Sequence, residues 1–141
     1  MKRMPKCLLA ATLCGLAAPP AQATEIEPGE WEFSSTTTSR LFNGPQIVRF
    51  RRCIRPEEAQ NPDRWMADTG QSDCKVIPRP RTGDTYAWTM ECKHGNVRGA
   101  GSARMSRTSM EGETNMTGEL QGQKFEIRTQ VSGKRIGPCR S

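Results

Sequence analysis

Four cysteines limit what this chain can fold into, and their number emerges once the N-terminus is read. Lys2, Arg3 and Lys6 precede the apolar run "CLLAATLCGLAA", and "PPAQA" closes on Ala21-Gln22-Ala23, the small-x-small pattern of a cleavage site. Residues 1–23 therefore read as an export signal, whose apolar run is too short to cross a bilayer as a helix. Cys14 does not turn it into a lipoprotein signal, because Leu13 stands where a small residue is wanted and Ala11 where Leu is wanted. Cys7 and Cys14 leave with the signal. Cys53, Cys74, Cys92 and Cys139 remain in a chain expected to run from Thr24 to Ser141 in the periplasm, where cysteines are normally oxidised to disulfides. Zinc is the competing use, but no C-x-x-C spacing occurs and His94 is the only histidine.

Four cysteines allow three pairings, and hairpin arithmetic selects one. Residues directly opposed in a hairpin have numbers with a constant sum. Cys74 and Cys92 then centre a hairpin on Gly83, within "PRPRTGDT", the richest turn stretch of that region. Opposed on neighbouring strands, they come within disulfide reach. Pro78 and Pro80 make the turn end of this hairpin irregular. Cys53 is left for Cys139, a bridge that ties the tail after the last strand to the end of the second. Chain entropy puts the shorter loop at about 3 kcal/mol and the longer at about 4 to 5 kcal/mol. A domain with only eight aromatic residues has use for both.

The remainder reads as strands and turns. "GEWEFSSTTTS" alternates Trp31 and Phe33 against Glu30, Glu32 and Ser34, the period of a strand with one buried face. "PQIVRFRRC" sets Val48 and Phe50 against Arg49 and Arg51. "RPEEAQNPDRW" interrupts with a helical turn, Pro56 suiting its first position and the glutamates its positive end, until Pro62 stops it. "TYAWTMEC" places Tyr86, Trp88, Met90 and Cys92 on one face, and "KHGN" turns the chain. "VRGAGSARMS", "MEGETNMTGEL" and "KFEIRTQV" follow, separated by "RTS" and "QGQ". The expected fold is all-β: an antiparallel meander of about seven strands forming a strongly curved sheet or an up-and-down barrel, with one short helical turn and two disulfides.

These landmarks resemble the bacterial domain-of-unknown-function family 3617. Pro28-Gly29 with Trp31-Glu32 matches its opening. Cys53 followed by Pro56-Glu57, then Cys74, then Trp88 four residues before Cys92, matches its middle. Gly99 and Gly101, Gly112, and finally Gly133, Arg135, Gly137 and Cys139 match its later strands and closing motif. Arg55 departs from the pattern, standing where relatives often carry a Thr or Ser cap. The resemblance implies a small exported protein and supplies no activity.

Few residues offer chemistry. His94 is isolated in a turn, and Glu57 and Glu58 are adjacent, so on a helical turn they diverge by about 100° rather than face one substrate. Gly99-Ala100-Gly101 resembles a phosphate loop, but no helix follows to bind the anion, so close strand packing is the better account. Met90, Met105, Met110 and Met116 could suggest copper, yet the parity of their positions does not bring them together, and core filling is expected. The chain is accordingly expected to be no enzyme, with no cofactor, metal or catalytic residue.

Charge redirects the question to binding. The formal charge of +6 falls to about +3 when Lys2, Arg3 and Lys6 leave, which removes the main argument for nucleic acid. No further apolar segment is long enough to span a membrane. A Cys53–Cys139 bridge would gather Arg51, Arg52, Lys134, Arg135 and Arg140, a candidate site for an anionic envelope component. A small apolar ligand would instead lie in the concave face, lined by Trp31, Phe33, Tyr86, Trp88 and Phe125. The expectation is thus an envelope-associated, non-catalytic binding module, with a structural or protein-interaction domain as the alternative.

Overall fold

Alternation dictates where the strands form and which way they face. The computed structural model describes residues 25–62, 73–94 and 96–140. The expected leader, residues 1–23, lies outside them. The elements are β1 (Gly29–Ser39), β2 (Gln46–Ile54), α1 (Pro56–Gln60), β3 (Cys74–Pro78), β4 (Thr85–Cys92), β5 (Arg98–Met105), β6 (Ser109–Leu120) and β7 (Gln123–Gly137). All seven strands join one antiparallel sheet in the order β2-β1-β7-β6-β5-β4-β3.

The expected all-β fold of seven antiparallel strands, one short helix and two disulfides is observed, as an open sheet. β3 to β7 do follow one another, and β1 and β2 form a hairpin, but the first strand pairs with the last. β1 runs against β7 from Glu30↔Gly137 to Ser39↔Ile127, with an irregularity between Glu30 and Trp31. The junction left unpaired is β2/β3, between which the chain forms α1. The sheet is therefore open, with β2 and β3 as its edges. Short turns seal every other consecutive pair.

The register sorts side chains cleanly onto two faces. Trp31, Gly133, Met110, Met105 and, on the strands' further reaches, Phe33, Val131, Ala103, Tyr86 and Trp88 share one face. The other carries Glu32, Lys134, Glu111, Arg104 and their like. On the first face, one end is filled. Ile26, Trp31, Phe33, Ile54, Ala59, Tyr86, Ala103, Met105 and Met110 form a buried cluster, with Trp88 and Val131 packed on it. Trp31 of β1 and Met105 of β5 line the same narrow gap although β7 and β6 lie between their strands, so the sheet coils around this end.

Helix α1 closes that end through Ala59. Arg55, in place of a hydroxyl cap, contributes its backbone: its N–H donates to Glu58 Oε2 at 2.9 Å, and its carbonyl accepts from Ala59 N–H. Glu58 thus makes the reciprocal half of a capping box, while its own N–H, from which a Ser or Thr side chain would have accepted, donates to the Arg55 carbonyl at 3.1 Å.

Both bridges form as expected. Cys74 opposes Cys92 directly, Cα to Cα 3.9 Å, and Cys53 joins Cys139 at 5.3 Å. The β3–β4 register sums to 166, while the bridge at the turn, Thr82↔Thr85, sums to 167, the irregularity that Pro78 and Pro80 foretold. Glu30 of β1 is register partner to both Cys53 and Gly137, so the second bridge straddles the end of β1.

Candidate functional site

Three cross-strand pairs organise the apolar face. Phe33 lies opposite Gly133, Trp88 opposite Gly101 and Phe125 opposite Gly118. In each pair the ring covers the glycine so closely that a Cβ there would stand 2.5 to 2.6 Å from a ring carbon. The small residues of β5, β6 and β7 are therefore seats for aromatic rings from the neighbouring strand. The phosphate-loop look of Gly99-Ala100-Gly101 is explained by this packing.

The five aromatics expected to line a ligand site do share a face, but they do not share a cavity. Trp31, Phe33 and Tyr86 are 1%, 2% and 3% exposed. Trp31 Nε1 donates to the Glu27 carbonyl at 3.0 Å, and Phe33 stacks between Trp31 and Phe50 at ring separations of 6.2 and 5.2 Å. The Arg81 guanidinium lies 4.2 Å from the centre of the Tyr86 ring. Where Trp31 and Phe33 meet Ile26, Ile54, Met105 and Met110, no space remains for even a water molecule. Those rings are core, because the coiled sheet brings Met105 and Met110 down onto them. Trp88 and Phe125 are half-buried.

The methionines also differ from expectation. Met105 and Met110 are direct register partners, and Met90 and Met116 flank Gly99 from either side. Parity does bring them together in pairs, as packing: Met90, Met105 and Met110 are all buried. Among the described residues no group of three His, Cys, Asp or Glu could hold a metal ion.

Space opens at the other end. A groove of about 520 Å³ is lined by Arg40, Leu41, Asn96, Thr117, Gly118, Glu119, Lys124, Phe125 and Glu126. Three turns build it. After β6, Gln121 at φ 51° and Gly122 at φ 78° make the two-residue turn that matches strand twist and sets Gly118 beneath Phe125. After β1, Ser39 fixes the chain: its hydroxyl donates to the Glu126 carbonyl at 2.7 Å and accepts from Leu41 N–H at 3.2 Å. Asn96 comes from the β4–β5 turn, next to exposed His94. The groove's apolar lining is Phe125 and Leu41 and its charged lining Arg40, Lys124, Glu119 and Glu126, the last three on the opposite strand face from Phe125 by register.

Of these lining residues only Phe125 was anticipated. Gly118 was within reach of the same arithmetic that paired the cysteines, since a hairpin centred on Gln121-Gly122 opposes residues 118 and 125. Leu41 and Arg40 gave no pattern, because a turn has no period.

The basic residues gathered by the staple are mostly neutralised. Arg51 reaches Glu32 at 3.1 Å, Arg52 reaches Glu58 at 2.6 Å, Arg135 lies 3.7 Å from Glu27, and Arg140 lies 3.5 Å from Glu30. Arg135 Nε also donates to the Pro28 carbonyl at 2.9 Å. The register further divides them, with Arg51 and Lys134 both opposite Glu32 on the polar face and Arg52 and Arg135 both opposite Trp31. The five do not form one cationic surface. Glu58 carries the clearest electrostatic signature: the Arg55 N–H first, and the Arg52 guanidinium second, hold its carboxyl below the ordinary carboxylate range. Its role is to bind helix to strand.

The class is now defined: an open, coiled antiparallel sheet stapled by two disulfides, filled at one end and grooved at the other. The profile of a family described as protein of unknown function (DUF3617) matches residues 26–139. The chain belongs to that family. No curated protein and no solved structure matches it significantly.

Proposed function

We propose that the protein is an exported, periplasmic, non-catalytic binding module whose groove holds a small amphipathic ligand. The observation that carries this reading is the contrast between the two ends of the sheet. One end is packed beyond room for water, whereas the other keeps about 520 Å³ lined by both apolar and charged side chains. That volume lies in the range of small-molecule sites. An acyl chain would lie along Phe125 and Leu41, and its anionic head would meet Arg40 or Lys124. The two disulfides support an extracytoplasmic setting. No helix among the described residues is long and apolar enough to cross a membrane.

Binding of dansyl-undecanoic acid, followed by dansyl emission and competed by unlabelled dodecanoate, tests the reading. Phe125→Ser should weaken binding about tenfold, as expected for removing one ring from the apolar lining. Absence of displaceable binding would favour the structural or protein-interaction reading, which the filled aromatic end independently supports.

A further inference from the structure

Exposed apolar side chains are not scattered over this molecule. Of the eight large ones among the described residues, five lie in the β1–β2 hairpin: Leu41, Phe42, Ile47, Val48 and Phe50. They point in every direction available. Leu41 and Phe42 stand on the turn, Val48 and Phe50 on the apolar face beside an unsealed edge, and Ile47 on the polar face. Concentrations of this kind mark contact surfaces.

Charge says what the surface meets. From Phe33 to Pro56 the chain holds no Asp or Glu, but it holds Arg40, Arg49, Arg51, Arg52 and Arg55. Arg51 and Arg52 are engaged with Glu32 and Glu58. Among the described residues no carboxylate lies within ion-pair distance of Arg40 or Arg49, the two arginines that flank the exposed apolar group. The turn between them is internally bonded, with Leu41 and Phe42 N–H groups both donating to Ser39, and Gln46 Nε2 to the Gly44 carbonyl. Bonds already made within the turn lower the penalty for leaving water.

We infer that the β1–β2 hairpin docks on an anionic lipid surface. Leu41 and Phe42 enter the boundary between headgroups and acyl chains, and Arg40 and Arg49 lie against the phosphates. The rival partner is an extended acidic segment adding to the edge of β2. It would cover Ile47, Val48 and Phe50 but leave Leu41 and Phe42 in water, whereas a bilayer takes up Leu41 and Phe42, the apolar pair at the tip. Self-pairing of β2 about Phe50 is opposed by its own charge, since it would set Arg49 against Arg51 twice. Leu41 and Arg40 are shared with the groove, whereas Phe42, Ile47, Val48, Phe50 and Arg49 lie outside its lining.

Co-sedimentation with vesicles of phosphatidylcholine, with and without phosphatidylglycerol, is the test. The wild type should bind only the phosphatidylglycerol vesicles, more weakly as salt rises. Leu41→Ser with Phe42→Ser should lower partitioning about a hundredfold, while Phe42→Trp retains it. Arg40→Gln with Arg49→Gln should lower it about twentyfold. Thermal melts should be unchanged throughout, because all four side chains are exposed. Failure of the wild type to bind at low salt would overturn the inference, as would full binding by the Leu41, Phe42 variant. Binding to a peptide of alternating Glu and Val instead of vesicles would assign the hairpin to a protein partner. A wild type that binds fatty acid but no vesicles would leave the groove reading standing alone.

Discussion

Replacing Gly133 by alanine adds one methyl group at the centre of the filled end. Its carbon would stand 2.6 Å from Phe33 Cε1 and 2.7 Å from Cδ1. Such distances require movement, and Phe33 has nowhere to move, being 2% exposed and stacked between Trp31 and Phe50. Overpacking of this kind costs about 1–3 kcal/mol, offset by about 0.5–1 kcal/mol from the stiffer unfolded chain. A net loss of about 1.3 kcal/mol is expected, or about 5 °C in Tm for a domain of this size. Gly101→Ala would place its methyl carbon 2.5 Å from Trp88, but that ring is half-buried and can tilt outward, so the loss should stay below about 1 kcal/mol. Urea unfolding followed by tryptophan emission, with disulfides intact, measures both. In a Phe33→Leu background the ring edge is gone, and Gly133→Ala should lose less than half as much. Equal losses in the two backgrounds would refute the ring-over-glycine account, as would a Gly133→Ala variant as stable as the wild type.

Two further outcomes follow from the staples and the helix cap. Removing the Cys53–Cys139 bridge by double serine substitution should cost about 1.4 kcal/mol more than removing Cys74–Cys92, because it closes the longer loop, 86 against 18 positions; equal losses in urea titrations would show that loop entropy does not rank them. Glu58 titrates lower folded than at its ordinary value of 4.5, so its contribution is present above that value and disappears as pH falls through the lowered one. The stability gap between wild type and Glu58→Gln should therefore be widest near neutral pH and close in acid, and a gap unchanged in acid would contradict the charge-based account.

The strands, both bridges and the shared face of the aromatics were legible because each rests on a period or a sum. Cys74 and Cys92 were placed by the turn at Gly83, and the structure keeps that register. Burial was less legible. Phe50 alternates as regularly as Phe33, yet it is 46% exposed, because β2 lies at an edge and β1 beside it is flanked on both sides. The ion pairs around the staple were not legible either. Sequence distance from Cys53 and Cys139 gathers five cations, but Glu27, Glu30 and Glu32 are brought among them by the pairing of β1 with both β2 and β7. That contact depends on the first strand meeting the last, which no local pattern in Trp31 or Arg135 announces.

The open seam itself has a reason that strand number supplies. In a closed ring of antiparallel neighbours, directions must alternate all the way round, which an odd number of strands cannot satisfy. Here every formed pair is antiparallel, including β1 with β7, so β2 and β3 necessarily run in the same direction. Sealing them would need one parallel ladder, with the less favourable bond geometry of such pairs, between a nine-residue strand and a five-residue strand ending in Pro78. Among the described residues β2 and β3 do not pair, and the junction stays open. Unlike strands closed on both sides, β2 then keeps Val48 and Phe50 uncovered on the apolar face. The exposed hairpin and the unsealed sheet are thus one consequence of folding seven antiparallel strands with the first beside the last.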